Sequence, residues 1–565
     1  MRAWLPILIL TLTLPTCSND GGDGTLTPTD IAPANDTAPV DVTAPPADSI
    51  PPADTTSDDR VEPPLDTTCD GWCPTHSSFP QELPFTVERP AKGNPLTDAE
   101  VTAFTEKIMA FYKDAMYFEW LWWTGHGLDA SYDPDLFDYK LFWQDTKSIK
   151  EGDVVRFVHV GGADNLALRT AKLLSNVCAA YLMTGDQRFG RLVEAYSKGF
   201  VALSLGLEWE TEDPIVKYLQ ARAIFTIDHE YEMEGARKVK VEYGEMKKGE
   251  VYSWNAHTVP NDENPHWGPI WIRNMRSKDD VPHMYRMVPM LRRVAEVGKD
   301  AEVRDAAALA VEYMEGFAKD IVNSGYQIRT KEDGVAYVPL NENGTVNDLA
   351  SFVLFEPFFP NAECNAKIAS AFVGFGDALD NDCGLADGNM YEDVAIDGHF
   401  FNLAIIRYFH LASLGNALIA EDAATAEELM EGVINRADRY MYDPGTPGED
   451  MAFPSDLAAW LLAAGATGVP LTDAEARHIT DWYSRSVDHY LQHPAWDPWD
   501  PAVPDGDFEY KAQDWSYDEP GATDGPKTRY VRLTEMSFVF EYCWSPYRSG
   551  ANVLDCDLVK NPARW

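Results

Sequence analysis

Pairs of amphipathic segments recur along most of this chain, and they restrict its fold more than any other feature. Apolar residues repeat at helical spacing within each segment, and a short polar break separates the two members of a pair. Helix pairs of this length have to stack to bury their apolar faces. The pattern therefore predicts an all-α domain built from helical hairpins. Residues 96–123 are a single such segment, which opens with Thr97 at an N-cap position and an acidic residue three positions on. The pairs are 163–200, broken at Gly185-Asp186, 282–321, broken at 298–300, and 399–441, broken after Gly415, followed by 455–464 with 472–491.

Two arrangements of stacked hairpins fit a domain of this length, an open solenoid and a closed ring. The long connections between the pairs are rich in Trp, Tyr, His and Asn. Functional residues tend to lie on loops that a rigid scaffold holds. We therefore expect an α/α toroid, a complete or incomplete barrel of hairpins whose loops meet around a cleft. Two alternating tracts, 237–254 and 326–340, predict small β-hairpin insertions.

The first residues of the chain predict an export signal. A short basic start and an apolar stretch lead to Leu14-Pro15-Thr16-Cys17, which resembles a bacterial lipobox. We expect 1–17 to be a lipoprotein signal peptide with lipidation at Cys17; an ordinary secretory signal is the alternative. The apolar stretch is shorter than the roughly 20 residues that a membrane helix needs. A lipid anchor would then be the membrane attachment, which predicts an outer-membrane lipoprotein that is periplasmic or surface-exposed.

Composition divides the rest of the chain. Residues 18–74 consist largely of Asp, Thr, Ala and Pro, which bury too little apolar surface to offset the entropy of ordering. We expect this stretch to be a disordered tether. The toroid is expected over 75–504, with a C-terminal cap of the same domain over 505–565.

The formal net charge of −45 limits the partners of the chain. Nucleic-acid binding in general requires a basic face, so no nucleic-acid partner is expected. The same charge repels acidic polymers at long range, so binding one of them requires a local group of cations.

The chain has eight cysteines, and an export signal favours disulfides. The cysteine in the apolar helical segment 163–200 fits a buried free thiol. No spacing matches a zinc knuckle. The expected pairs, each close in sequence, are Cys69–Cys73, Cys364–Cys383 and Cys543–Cys556, with Cys17 lipidated and Cys178 free.

Residues 266–286, "HWGPIWIRNMRSKDDVPHMYR", concentrate cations and aromatic rings in an otherwise acidic chain. Such a group suits β-elimination on a uronic-acid chain, where a base removes the proton α to a carboxylate and the sugar oxygen at the β position leaves. Asn, His and Arg are suitable donors to the developing enolate. A Tyr whose pKa is depressed by nearby cations can act as the base. Tyr285 lies beside Arg286 and near Arg276 in this stretch.

The hairpins, the export signal and the His- and Arg-bearing loops resemble the helical-toroid polysaccharide lyases, the alginate lyases among them, over about residues 90–490. Those enzymes carry an adjacent Asn-His pair and, further on, a Tyr with a nearby Arg. Here Ala256 separates Asn255 from His257, so Asn165 is an equal candidate for the Asn. The resemblance implies Tyr285, His257, Arg276 and Asn165 as catalytic residues. From that resemblance and from the chemistry of the stretch, the expected substrate-binding residues are Asn255, His266, Trp267, Arg273, His283, Arg286 and Trp123.

Five of the candidates also have a structural interpretation. Tyr285 lies at helical spacing from apolar neighbours, as a core ring would. Asn165 directly precedes a helical segment, as an N-cap would. Trp123 fits helix packing, and His266 and His283 fit ordinary structural roles.

A metal site is a weaker interpretation of the same region. His257, His266 and His283 with Asp262 have spacings that match no recognised zinc pattern. The Asp-rich loop 376–393 lacks EF-hand spacing but supplies carboxylate oxygens, the ligands of a structural calcium ion. No other cofactor is expected. The calcium candidates are Asp380, Asp382 and Asp387.

Together these features predict an exported polysaccharide lyase whose partner is an acidic glycan. One alternative is a glycoside hydrolase on the same toroid, which would need two carboxylates facing each other across a cleft. The other is a surface lipoprotein that binds glycans without cleaving them. The carboxylates that the hydrolase alternative could use include Asp164, Asp279, Asp280, Glu392, Asp393 and Asp397.

Overall fold

Helices predominate in the computed structural model of the chain, which confirms the prediction of a mostly helical domain. The described residues all belong to one compact unit. None of the described helices is long and apolar enough to span a membrane. The predicted signal peptide 1–17 and tether 18–74 lie outside the described residues. Those residues are 82–115, 139–142, 145–161, 166–210, 217–225, 229–233, 237–241, 258–273, 284, 287–323, 328–337, 414, 418, 423–442, 454–492, 504–511, 528–530 and 538–565.

The first eight helices coincide with the predicted amphipathic segments, and the last two lie in the predicted C-terminal cap. They are α1 Asp98–Ala115, α2 Leu166–Thr184, α3 Gln187–Leu205, α4 Val288–Val297, α5 Ala301–Asn323, α6 Ala423–Tyr442, α7 Pro454–Ala466, α8 Asp473–Gln492, α9 Val539–Trp544 and α10 Cys556–Lys560.

Polar breaks separate the helices of each described pair where the sequence predicted them. Gly185 and Asp186 lie between α2 and α3, and Gly185 takes a positive φ of 62° that suits glycine. Residues 298–300 separate α4 from α5. The predicted cap of α1 is confirmed: the Thr97 backbone N–H donates to Glu100 Oε2 at 2.7 Å, and the Glu100 backbone N–H donates to Thr97 Oγ1 at 3.3 Å.

The described helices pack as a continuous series. Helix α1 lies against α8, which pairs with α7; α9 lies between α7 and α2. Helix α2 pairs with α3, α3 packs on α5, and α5 pairs with α4. These contacts bury large rings such as Tyr181, Tyr196 and Trp460 in one core. Hairpin stacking is therefore present, while closure into a toroid stays a prediction.

Strand content exceeds the two small insertions that the sequence predicted. A six-stranded sheet has the order β11-β10-β1-β2-β5-β4, and its β10–β11 and β2–β5 pairs are parallel. A second sheet has the order β3-β7-β6. The strands are β1 Asp145–Glu151, β2 Val154–Gly161, β3 Ala223–Phe225, β4 His229–Met233, β5 Arg237–Val241, β6 Thr258–Asn261, β7 Ile270–Arg273, β8 Thr330–Glu332, β9 Val335–Tyr337, β10 Gly506–Lys511 and β11 Thr528–Tyr530.

One predicted hairpin is confirmed, and the other has different partners. Strands β8 and β9 pair across Asp333 and Gly334, inside the predicted tract 326–340. In tract 237–254, β5 pairs with β4 on one side and β2 on the other. Both edges of β5 are therefore filled over 237–241, and the rest of the predicted tract, 242–254, lies outside the described residues. Alternation of residue types predicts a strand but not its partner.

The described cysteines behave as predicted. Cys543 and Cys556 form a disulfide that joins α9 to α10, with a Cα–Cα distance of 5.2 Å. Cys178 in α2 is a buried free thiol. The remaining cysteines, Cys17, Cys69, Cys73, Cys364 and Cys383, lie outside the described residues.

Residues 82–97 form an N-terminal strap that is bound to the helical domain. The Ala474 backbone N–H of α8 donates to Lys92 O at 2.8 Å, and Arg477 Nε donates to Asn94 O at 2.7 Å. The Arg89 side chain, only 4% exposed, reaches Glu475 and Asp438. The strap is thus fixed to α6 and α8 by backbone contacts and by a buried charge.

Candidate functional site

Three of the predicted site residues, His266, Trp267 and Arg273, lie in the described part of the chain. The turn 262–269 between β6 and β7 carries the first two, and Arg273 ends β7. Outside the described residues lie Tyr285, His257, Arg276, Asn165, Asn255, His283, Arg286 and Trp123, the calcium candidates Asp380, Asp382 and Asp387, and Asp164, Asp279, Asp280, Glu392, Asp393 and Asp397. Their roles stay predictions.

Two asparagines fix the turn against the C-terminal end of α3. Asn264 Oδ1 accepts the backbone N–H groups of His266 and Trp267, each at 3.0 Å. Asn264 Nδ2 donates to Leu205 O at 2.8 Å. Asn261 Nδ2 donates to Gly206 O at 3.0 Å and to Glu208 O at 2.8 Å. Because both amides are buried, these bonds set the position of the turn relative to the residues that follow α3.

This anchoring brings His266 against Glu208. The imidazole Nε2 lies 2.5 Å from Glu208 Oε2, and the two side chains are 33% and 19% exposed. A carboxylate acceptor favours the tautomer with the proton on Nε2, so that Nδ1 carries the lone pair. Within the described part of the chain, the ring makes no hydrogen bond other than the one to Glu208. The pair is therefore an oriented imidazole that solvent can reach.

Trp267 lies in the core below this pair. It is 1% exposed, and its ring packs edge-on against Tyr139 with 5.6 Å between centroids. The His266 and Trp267 rings are 5.7 Å apart. A sugar cannot stack on a ring that the protein covers, so the predicted substrate-binding role of Trp267 is not supported. The ring instead supports the turn that carries His266.

Arg273 is also largely buried, with 8% of the residue exposed. Its carbonyl accepts the backbone N–H of Arg222 at 2.7 Å, and Arg222 is 4% exposed. Two guanidinium groups thus lie inside the protein, where β3 begins and β7 ends in the three-stranded sheet. Contact between Arg273 and a substrate stays a prediction.

A second group of side chains, which the sequence did not point to, lies near Glu208. We call Lys217, Tyr218, Glu312 and Tyr313 the Lys217 corner. The two tyrosine rings are nearly perpendicular, at 82°, with 5.2 Å between centroids. Lys217 Nζ lies 5.0 Å and 5.1 Å from these centroids and 3.5 Å from Glu312 Oε1. Tyr218 Oη donates to the same carboxylate oxygen at 2.9 Å.

The electrostatics of the corner connect it with the Glu208–His266 pair. Burial raises the pKa of Tyr313, the Lys217 ammonium opposes that rise, and the charge of Glu208 adds to it. The hydrogen bond to Glu312 is the main reason that the pKa of Tyr218 is raised. Burial by itself lowers the pKa of Lys217, but both phenols and Glu312 outweigh it, so the net shift is upward. Lys217 is therefore an ammonium at neutral pH.

Sequence separation explains why the corner was missed. Tyr218 and Glu312 are 94 positions apart, and His266 and Glu208 are 58 positions apart. Each residue type is common on a protein surface, so no local signal marks Glu208, Lys217 or Glu312.

The arrangement suits proton transfer and glycan binding. An oriented, partly exposed imidazole can accept a proton. Aromatic rings beside a lysine and a carboxylate offer an apolar surface together with a hydrogen-bond donor and an acceptor. Among the described residues, no group of three or more His, Cys, Asp or Glu side chains is placed to hold a metal ion. No protein-family model, curated protein or solved structure matches the chain.

Proposed function

We propose that this chain is an exported, lipid-anchored polysaccharide lyase that cleaves uronic-acid-containing glycans by β-elimination. The observation that carries the proposal is the hydrogen bond of 2.5 Å that orients the partly exposed His266 ring on Glu208. A lyase needs a positioned base close to the carbon α to the sugar carboxylate. His266 was among the residues predicted for the substrate site, and its partner supports a role in the chemistry.

In the proposed reaction His266 Nδ1 removes the α proton of the uronate. The electron pair of that C–H bond forms a carbon–carbon double bond, and the bond from the β carbon to the sugar oxygen breaks. The leaving oxygen takes up a proton from the phenol of Tyr285, and proton exchange with solvent then restores Tyr285 and His266. Glu208 holds Nε2–H and stabilises the imidazolium that forms. The proposal thus moves the role of the base from Tyr285, which the sequence predicted, to His266. His257, Arg276 and Asn165 remain the predicted donors to the carboxylate.

The carboxylates of the site favour a lyase over a hydrolase. A hydrolase needs one protonated carboxyl as a general acid opposite a second carboxylate. Glu208 is bonded to His266, and Glu312 is bonded to Lys217 and Tyr218. Both carboxylates are therefore held by protein groups, whereas the general acid of a hydrolase has to reach the glycosidic oxygen.

Incubation of the full-length protein with a panel of glycans tests the proposal. The panel is polygalacturonate and alginate as polyuronates, with xylan and glucan as neutral glycans. A lyase yields ultraviolet-absorbing unsaturated uronates from the polyuronates without adding water. New reducing ends without that absorbance would indicate the hydrolase. Retardation of the protein in a glycan-containing gel without any product would indicate the non-catalytic binder.

His266→Gln should lower kcat on the cleaved polyuronate by about 100- to 10,000-fold, the usual contribution of a general base. Glu208→Gln should lose less activity, because the amide still bonds to the imidazole but does not offset its charge. His478→Gln is the matched control, since His478 lies on α8, a helix that carries none of the residues of the site. Initial rates of ultraviolet absorbance measure all three. Full activity in His266→Gln would remove the imidazole from the mechanism.

A further inference from the structure

The Tyr218 ring packs directly against Gly316 of α5. A Cβ added to Gly316 would lie 2.2 Å from Cγ of Tyr218 and 2.4 and 2.7 Å from its two Cδ atoms. No side chain fits in that space, so the ring rests directly on the helix backbone. Glycine is less favourable than alanine in a helix interior. Gly316 therefore lowers the stability of the helix but lets the Tyr218 ring approach its backbone. Local violations of this kind are expected at functional sites.

Two charged side chains, Lys217 and Glu312, lie beside the Tyr218 ring. Lys217 and Glu312 form an ion pair of 3.5 Å, and their side chains are 46% and 51% exposed. Both tyrosine rings lie below the ammonium, and Tyr218 Oη holds the carboxylate. The rings thus fix the geometry of an ion pair whose heads are in contact with solvent. Most exposed Lys–Glu pairs depend on flexible side chains alone.

The chemistry of the pair indicates its ligand. An ammonium donates hydrogen bonds, a carboxylate accepts them, and a hydroxyl group does both. Two adjacent hydroxyls of a sugar ring can therefore bridge a fixed Lys–Glu pair, with ring C–H groups against an aromatic edge. The charges of Lys217 and Glu312 cancel, so the pair suits a neutral part of the sugar better than its carboxylate.

We propose that the Lys217 corner is a glycan subsite that binds the vicinal diol of a sugar unit next to the Glu208–His266 pair. The proposal rests on the proposed function only in taking a glycan as the ligand. Its position follows from helix packing: Glu208 follows α3, and α3 packs on α5, the helix that carries Glu312 and Tyr313.

Affinity electrophoresis of full-length protein in gels that contain polygalacturonate tests the subsite. All proteins carry His266→Gln, so that the polymer is not cleaved. Lys217→Gln should weaken binding at least about tenfold, since a hydrogen bond to a charged group is lost. Lys198→Gln is the matched control: Lys198 forms a Lys–Glu pair of 2.7 Å with Glu194 on α3 and should bind like the parent. Gly316→Ala should reproduce the loss without removing a charge, because it displaces the Tyr218 ring.

Periodate-oxidised polygalacturonate, in which the diol carbons are separated, tests the ligand chemistry. The parent protein should bind it about as weakly as Lys217→Gln binds the intact polymer. Equal binding of intact and oxidised polymer would overturn the diol, and equal retardation of Lys217→Gln and Lys198→Gln would overturn the subsite. Absence of retardation by polygalacturonate, alginate and xylan would also overturn it. If retardation depends on Lys217 but wild-type protein forms no unsaturated product, the lyase fails and the subsite stands.

Discussion

Arg89 carries its charge into the protein interior, where several groups compensate it. Its guanidinium donates to both carboxylate oxygens of Glu475 at 2.9 and 2.8 Å, to Asp438 at 2.6 Å and to Pro470 O at 2.6 Å. The side chains of Arg89 and Glu475 are 4% and 0% exposed. Burial alone lowers the pKa of Arg89, but the bonds to the two carboxylates outweigh it and raise the pKa. The buried Arg89 guanidinium and the buried Glu475 carboxylate therefore compensate each other's charge.

Arg89→Met should destabilise the protein by about 3–5 kcal/mol, because it leaves the Glu475 carboxylate buried without a cation. Arg564→Met is the matched control. Arg564 and Glu106 form a pair of 3.0 Å whose side chains are 44% and 55% exposed. Such a pair contributes about 0–1 kcal/mol. Urea unfolding measures both variants, and equal midpoints would mean that the Arg89 charge is not required.

At the residue scale, the sequence predicted the state of the described cysteines but not the burial of Trp267. The pairing of Cys543 with Cys556 and the buried thiol of Cys178 were predictable, because the two bonded cysteines are close in sequence and the third lies in an apolar helix. The burial of Trp267 was not, since a ring in a loop looks the same whether it faces solvent or the core.

At the scale of elements, the helix pairs follow from local signals. Asp186 shows how: it directly follows Gly185 and caps α3, and its Oδ1 accepts the Arg188 backbone N–H at 2.8 Å. The Arg188 guanidinium donates to the same carboxylate at 2.6 Å. That hydrogen bond is the main reason that the pKa of Asp186 is lowered. Asp186 thus ends the turn between α2 and α3 and caps the start of α3.

Asp186→Ala should lower the stability of the protein by about 1 kcal/mol, the usual loss for an N-cap. Asp186→Asn keeps the cap and loses only the charge. Because folding lowers the pKa of Asp186, its charge stabilises the fold above the unfolded pKa of about 3.9. This contribution disappears as the pH falls through the lowered value. The difference in urea midpoint between the Asp186→Asn variant and wild type should therefore be present at pH 7 and vanish in acid; a difference that persists in acid would contradict it.

At the scale of the whole molecule, the net charge of −45 opposes compaction. The chain has 46 lysines and arginines against 91 acidic residues, and several of these cations are buried in the fold. Lys140, Lys172 and Arg293 are 7%, 4% and 1% exposed. The surface therefore keeps an excess of carboxylates that repel one another through the solvent.

Raising the ionic strength at pH 7 from about 0.01 M to about 0.15 M shortens the Debye length from about 30 Å to about 8 Å. Weaker repulsion should raise the thermal midpoint by about 2 °C or more, the shift that about 1 kcal/mol produces in a large domain. Near pH 4.5, where the net charge is close to zero, the same change should have little effect. Calorimetric scans at the two pH values measure the difference, and a midpoint that falls with salt at pH 7 would contradict it.

The sequence by itself determined the helical hairpins, their breaks, the cap of α1 and the disulfide between α9 and α10. These features depend on residues a few positions apart, whose spacing carries the information. Only the tertiary structure decided the partners of β5 and the meeting of Glu208 with His266 and of Tyr218 with Glu312. Pairing of distant segments depends on which packed arrangement buries the most apolar surface while satisfying buried polar groups. No single stretch of residues encodes that balance.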